Sequence, residues 1–131
     1  MHTKISSTLF LLLAFLPGLA PAHDVDITGV ARIFIDEQAP GSYSLSVVDQ
    51  QVPPLFNIER ILPERCEGLS PGNYSYRFQC SPALNINDSL EIPWSLQGLV
   101  AVARWADGTD VSGFFPAEGA GISIPTSNLK A

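Results

Sequence analysis

Tyr74-Ser75-Tyr76-Arg77-Phe78-Gln79-Cys80 alternates large apolar and polar side chains without a break. Successive side chains of an extended strand point to opposite faces. This spacing therefore predicts a strand that buries Tyr74, Tyr76, Phe78 and Cys80 and turns Ser75, Arg77 and Gln79 to water. Ser70-Pro71-Gly72-Asn73 just before it is turn chemistry. Toward the N-terminus the same period recurs. Tyr43, Leu45 and Val47 alternate with serines after the Pro40-Gly41 turn, and Val25, Ile27, Ile33 and Ile35 alternate around Gly29, as in a bent or bulged first strand. Pro53-Pro54 interrupts pairing before a short segment around Ile58 to Leu62. Toward the C-terminus, Leu90 and Ile92 suggest a short strand stopped by Pro93. Leu99 to Trp105 is almost continuously apolar, as a more buried strand would be. Asp107-Gly108 then leads to Val111–Phe115 and predicts a type I′ hairpin, in which both central residues take positive φ. Ala120 to Ile124 supplies a last strand before Pro125.

About seven or eight short strands with turn signals between them, and no amphipathic helix, predict an all-β, immunoglobulin-like two-sheet β-sandwich. The chain of 131 residues has room for one such domain. Eleven prolines and ten glycines disfavour long helices, and 46% hydrophobic residues exclude disorder. We assign residues 23–125 to the sandwich and 126–131 to a loose C-terminal tail.

Residues 1–22 have the layout of a secretory signal. Lys4 precedes the apolar run Ile5–Leu16, Pro17-Gly18 ends that run, and Ala20-Pro21-Ala22 offers small residues for cleavage. Pro21 would be a poor first residue, so cleavage is expected between Ala22 and His23. The apolar run is too short to span a bilayer, which needs roughly 20 residues. No other stretch reaches that length, so the processed chain is expected to be soluble in the periplasm or outside the cell. Seven basic against thirteen acidic residues give a net charge of -6, and cleavage removes Lys4 and no acid. Such a chain is not expected to bind nucleic acid by releasing phosphate counterions, nor an anionic membrane by charge.

Both cysteines, Cys66 and Cys80, lie in the exported part, where a disulfide is the default reading. Gly68, Pro71 and Gly72 allow the intervening chain to reverse. Closing a loop of about 15 residues is worth roughly 3 kcal/mol. A thiol-metal pair is the rival reading, but no further cysteine or histidine cluster supports it.

Taken in order, several landmarks resemble a known family. These are His23-Asp24 at the processed start, Pro40-Gly41-Ser42-Tyr43-Ser44-Leu45, Leu62-Pro63-Glu64-Arg65-Cys66, the second cysteine closing the Tyr74–Cys80 strand, Ala106-Asp107-Gly108-Thr109, Phe115-Pro116 and Ile122-Ser123-Ile124-Pro125. Together they resemble the N-terminal extracytoplasmic domain of the HupE/UreJ-like membrane proteins, across nearly all of the processed chain. In that family the domain precedes a multi-helix membrane domain whose His- and Asp-containing motifs suggest nickel or cobalt handling. Those motifs are absent here, and nothing that depends on them carries over. The resemblance implies a stand-alone relative of the soluble domain, working with a separately encoded membrane protein.

No set of residues complete enough for catalysis is visible. The processed chain has one histidine, His23, and lacks G-x-S-x-G, H-E-x-x-H and G-x-G-x-x-G. We expect no enzyme. At a processed N-terminus, the amine and imidazole Nδ1 of His23 could chelate Cu, Zn or Ni, with Asp24 and Asp26 adding oxygen ligands. The plainer reading is a frayed, solvated first residue. A copper brace needs a second histidine, which is missing. Trp94, Trp105, Phe114 and Phe115 are expected in the core. Val52-Pro53-Pro54-Leu55-Phe56 either closes one end of the sandwich or forms a contact loop through Pro53, Pro54, Leu55 and Phe56. Asn73 and Asn87 head formal glycosylation sequons. The function expected is a non-enzymatic exported accessory or binding module. The alternative is an independent periplasmic protein chelating Cu or Ni through His23, and an adhesin- or inhibitor-like sandwich remains open on fold analogy alone.

Overall fold

The computed structural model describes residues 29–49, 51–71 and 74–130. The signal-like segment, His23, Asp24, Asp26 and Asn73 therefore lie outside the described residues. The described chain is all-β. Its eight strands are β1 (Val30–Ala39), β2 (Ser42–Val47), β3 (Cys66–Pro71), β4 (Ser75–Cys80), β5 (Ser89–Ile92), β6 (Gly98–Arg104), β7 (Asp110–Pro116) and β8 (Ile122–Pro125). Two short 3-10 helices, Ile58–Arg60 and Thr126–Leu129, complete the elements.

Six strands form one sheet in the order β3-β4-β2-β1-β6-β7, and β5 and β8 form a second, two-stranded sheet. All pairings are antiparallel except β1 with β6, which run parallel over Val30–Asp36 and Gly98–Arg104. The expected alternation is realised in β4, where Tyr76, Phe78 and Cys80 are buried between exposed neighbours, and in β2, where Tyr43, Leu45 and Val47 are buried. Tyr43 pairs with Phe78 across these strands, their rings stacked at 5.0 Å between centroids. Such a pair adds about 0.5–1.5 kcal/mol beyond simple burial.

The sandwich is lopsided. The inner face of the large sheet contributes Ala31, Ile33, Ile35, Leu45, Leu99, Ala101 and Ala103 to one core. Only Leu90, Ile92, Ile122 and Ile124 reach that core from the small sheet. Irregular chain supplies the rest of the second layer through Val52, Leu55, Ile58, Ile61, Leu62, Leu84 and Trp94. An immunoglobulin domain divides its strands more evenly and bridges its two sheets with the disulfide. Here Cys66 and Cys80 are bonded between neighbouring strands of the same sheet, directly opposite one another in the β3–β4 register.

Three expectations are corrected. The Asp107-Gly108 turn does join β6 to β7, but only Gly108 has positive φ, at 91°. Gly108 N donates to Trp105 O at 3.0 Å and Trp105 N to Thr109 O at 2.9 Å, the pattern of a type I turn closed by a glycine bulge. In that turn only the glycine is left-handed, and Asp107 keeps a negative φ while its Oδ1 accepts from both the amide and the hydroxyl of Thr109. Second, residues 126–130 are not a loose tail. Thr126 and Leu129 are buried, Trp105 Nε1 donates to Leu129 O at 2.7 Å, and the Lys130 ammonium lies 4.2 Å from the centre of the Trp105 ring. Third, Trp94, Trp105 and Phe115 are core residues, but Phe114 is exposed. Neighbouring strand residues face opposite ways. Phe115 therefore pairs inward with Leu99, and Phe114 pairs with Val100 on the outer face.

Candidate functional site

The segment from Val52 to Leu55 is fixed by the polar tips of three aromatic side chains. Tyr74 Oη donates to Val52 O at 3.1 Å, Trp94 Nε1 donates to Pro53 O at 3.0 Å, and Leu55 N donates to Tyr76 Oη at 2.7 Å. Pro53 and Pro54 carry no N–H, so this segment has two fewer backbone donors to satisfy. Val52 and Leu55 are buried beneath this segment, while Phe56 projects from it with 89% of its surface exposed. The two readings of Val52–Phe56 thus fall on different residues: Val52 and Leu55 close the core, and Phe56 faces solvent.

Phe56 lies at the edge of a cleft of about 560 Å³. Its walls come from three stretches far apart in sequence: residues 54–57 with Arg60 and Ile61, then Glu91–Pro93, then Glu118 with Gly121–Ser123. A backbone bond from Glu91 N to Ile61 O, 3.0 Å, ties the first stretch to β5. Pairing of Glu91 with Ser123 and of Ile92 with Ile122 holds β5 to β8. The apolar lining is Leu55, Ile61, Ile92 and Ile122, all buried.

Three charged side chains line this cleft: Arg60, Glu91 and Glu118. Among the described residues the ion pairs are Arg65 with Asp88 and Arg104 with Asp36, so none of the three cleft charges is ion-paired with another described residue. Glu91 is nevertheless oriented. Its Oε2 accepts from Ser89 Oγ at 3.1 Å and from Ser123 Oγ at 2.8 Å. The arrangement offers an apolar floor, an exposed ring, a fixed carboxylate and a guanidinium.

A second polar cluster braces the approach to β5. Arg65 Nη1 and Nη2 both reach the Asp88 carboxylate, the former at 2.9 Å, while Nε and Nη2 donate to the carbonyls of Pro82 and Ala83. The Asp88 carboxylate also accepts from Asn85 N at 2.7 Å. Hydrogen bonding from Arg65 holds the Asp88 carboxyl below the ordinary range, and Asp88 in turn holds Arg65 above its own. The Asp88 carbonyl takes the Thr126 amide at 2.9 Å, so one aspartate joins the residue preceding β3, the start of β5 and the terminal 3-10 helix. Asn87, the described sequon position, is exposed in this turn. Nearby, burial pushes the Tyr43 phenol up to about 12, and the Glu37 carboxylate adds to that shift. Glu37 also accepts from the amides of Gly41 and Ala106.

Among the described residues no group of three or more His, Cys, Asp or Glu could hold a metal ion, and no helix is long and apolar enough to cross a membrane. His23, Asp24 and Asp26 are outside that search. Of the residues singled out from sequence, Pro54, Leu55 and Phe56 meet at the cleft, and Pro53 anchors their segment from behind. Sequence reasoning missed Arg60, Glu91 and Glu118, which carry no local signal. Comparison with protein-family models, with curated proteins and with solved structures finds no match to this chain.

Proposed function

We propose that the chain is an exported, non-catalytic binding module that offers the cleft at Phe56 to a protein partner. The observation that carries this reading is the exposed Phe56 ring on a segment whose backbone is pinned by Tyr74, Tyr76 and Trp94. Leaving a phenyl ring in water forgoes roughly 1.5–3 kcal/mol of burial, which a partner recovers on contact. A segment already held in place loses little freedom on binding, so more of that energy appears as affinity. Export is supported by the signal-like residues 1–22 and by the Cys66–Cys80 disulfide, a bond of oxidising compartments. The resemblance to the HupE/UreJ-like domain makes an integral membrane protein of that kind the partner class proposed.

The test is photocrosslinking from position 56. The full chain carrying p-benzoylphenylalanine at that site is exported in cells, irradiated and recovered from detergent-solubilised membranes. The expected result is an adduct with one integral membrane protein, absent when the crosslinker replaces Phe114. Adducts that do not differ between positions 56 and 114, or none at either, would contradict the reading.

A further inference from the structure

We infer that the occupant of the Phe56 cleft is a peptide segment in which a large apolar side chain is flanked by Lys or Arg, the basic group meeting Glu91. This rests on the proposed role of the cleft as a protein-binding site and specifies the chemistry of what enters it.

The volume of about 560 Å³ suits one or two large side chains with their backbone rather than a whole folded element. Its lining of Leu55, Ile61, Ile92 and Ile122 selects an apolar side chain, and Phe56 adds an aromatic face beside it. The charges then decide the flank. Glu91 is the best-prepared group in the cleft, because Ser89 and Ser123 both donate to Oε2 and hold the carboxylate in one orientation. Its Oε1 takes no donor among the described residues, so one oxygen of a fixed anion is open to a cation. A charge-assisted hydrogen bond there is about twice as strong as a neutral one. Glu118 adds a second negative charge to the same cleft, in no ion pair among the described residues.

Arg60 is the one cation lining the cleft among the described residues, and it forms no ion pair with either acid among them. Two carboxylates against one guanidinium leave the cleft net negative, which favours a basic flank on the occupant. The excess of thirteen acids over seven bases in the chain steers the same kind of partner during approach.

The test is selection from a phage-displayed library of random dodecapeptides, counted in parallel on the wild-type chain and on Glu91→Lys, Glu91→Gln and Phe56→Ala. Each protein is first checked for an unchanged thermal midpoint. The wild type should enrich sequences with Leu, Ile, Phe or Trp within two positions of Lys or Arg. Glu91→Gln should weaken binding of a selected peptide about tenfold, Glu91→Lys should shift enrichment toward Asp and Glu, and Phe56→Ala should abolish enrichment. Apolar enrichment with no basic flank, or a basic preference unmoved by both Glu91 variants, would overturn this inference while leaving the cleft as a binding site. Enrichment that survives Phe56→Ala unchanged, or no enrichment at all, would overturn both.

Discussion

Trp94 Nε1 donates a 3.0 Å hydrogen bond to the carbonyl of Pro53, forty-one residues earlier, and so links the end of β5 to the segment that carries Phe56. Trp94 is 2% exposed, so it fills the core with its rings and positions the candidate site with its one polar atom. Replacing it by Phe keeps most of the apolar volume and removes the donor. Trp94→Phe should lower unfolding free energy by about 1–3 kcal/mol, read as a shift of the urea midpoint at unchanged slope. Hydrogen exchange should accelerate at the Leu55 and Phe56 amides, whereas exchange within β6 keeps its order.

Asp88 predicts an acid-labile fold. Its carboxyl is held below the ordinary range chiefly by hydrogen bonds from Arg65, so this contribution is complete above the unfolded-state pKa near 4. It is lost as pH falls through the lower folded value. Asp88→Asn should cost about 1–3 kcal/mol at neutral pH and flatten the stability profile below pH ~4. Chemical denaturation across that range measures both effects.

Tyr43 predicts the opposite limb. Burial raises its phenol to about 12, so the folded state favours the neutral form. The associated stability is present below about pH 10, the unfolded value, and disappears as pH rises toward the folded one. Tyr43→Phe should therefore lose less stability than the wild type between those limits. At neutral pH it should be about 1–2 kcal/mol weaker, because Leu84 N loses its acceptor at 2.9 Å. Denaturation series run in parallel on the two proteins would show the crossing trend.

Two turns separate backbone strain from collision. Gly108 has φ of +91° and open space where a Cβ would go, whereas Gly41 at +84° would place a Cβ 2.8 Å from Cys80 O. Gly108→Ala should cost about 1 kcal/mol from the left-handed backbone alone. Gly41→Ala carries the same strain plus a clash with the strand that holds the disulfide, so its thermal midpoint should fall clearly further.

Much of the large sheet was legible because its strands alternate. Ser42–Val47 and Ser75–Cys80 display period two openly, and Leu90, Ile92 and Leu99–Trp105 declare their burial by composition. Cys66–Pro71 did not read as a strand. It is an edge strand paired only with β4, its register slips between Gly68 and Ser70, and an edge needs little apolar pattern. The packed C-terminal turn was hidden for another reason. Leu129 is held by Trp105, twenty-four residues away, and nothing near residues 126–131 announces that contact. The cleft was the least legible feature. Proline chemistry marked Pro53–Phe56 as unusual, but Arg60, Glu91 and Glu118 converge only through the Ile61–Glu91 bond and the β5–β8 pairing. Parity along β7 would have separated Phe114 from Phe115, since one strand face cannot hold both.

We propose that the surface at Phe56, rather than the outer face of the large sheet, receives the partner. That outer face carries Val30, Phe34, Val100 and Phe114, and the arginine beside Phe34 is already engaged. Arg104 pairs with Asp36 at 2.8 Å and lies 4.8 Å from the centre of the Phe34 ring. An NMR titration of the nitrogen-15-labelled chain with an amidated, acetylated Arg-Leu-Arg peptide tests the claim most directly. Saturable amide shifts confined to residues 55–61, 91–92 and 118–123, and lost in Phe56→Ala, are expected. Shifts centred on Val30, Val100 and Phe114, or no saturable shift anywhere, would contradict it.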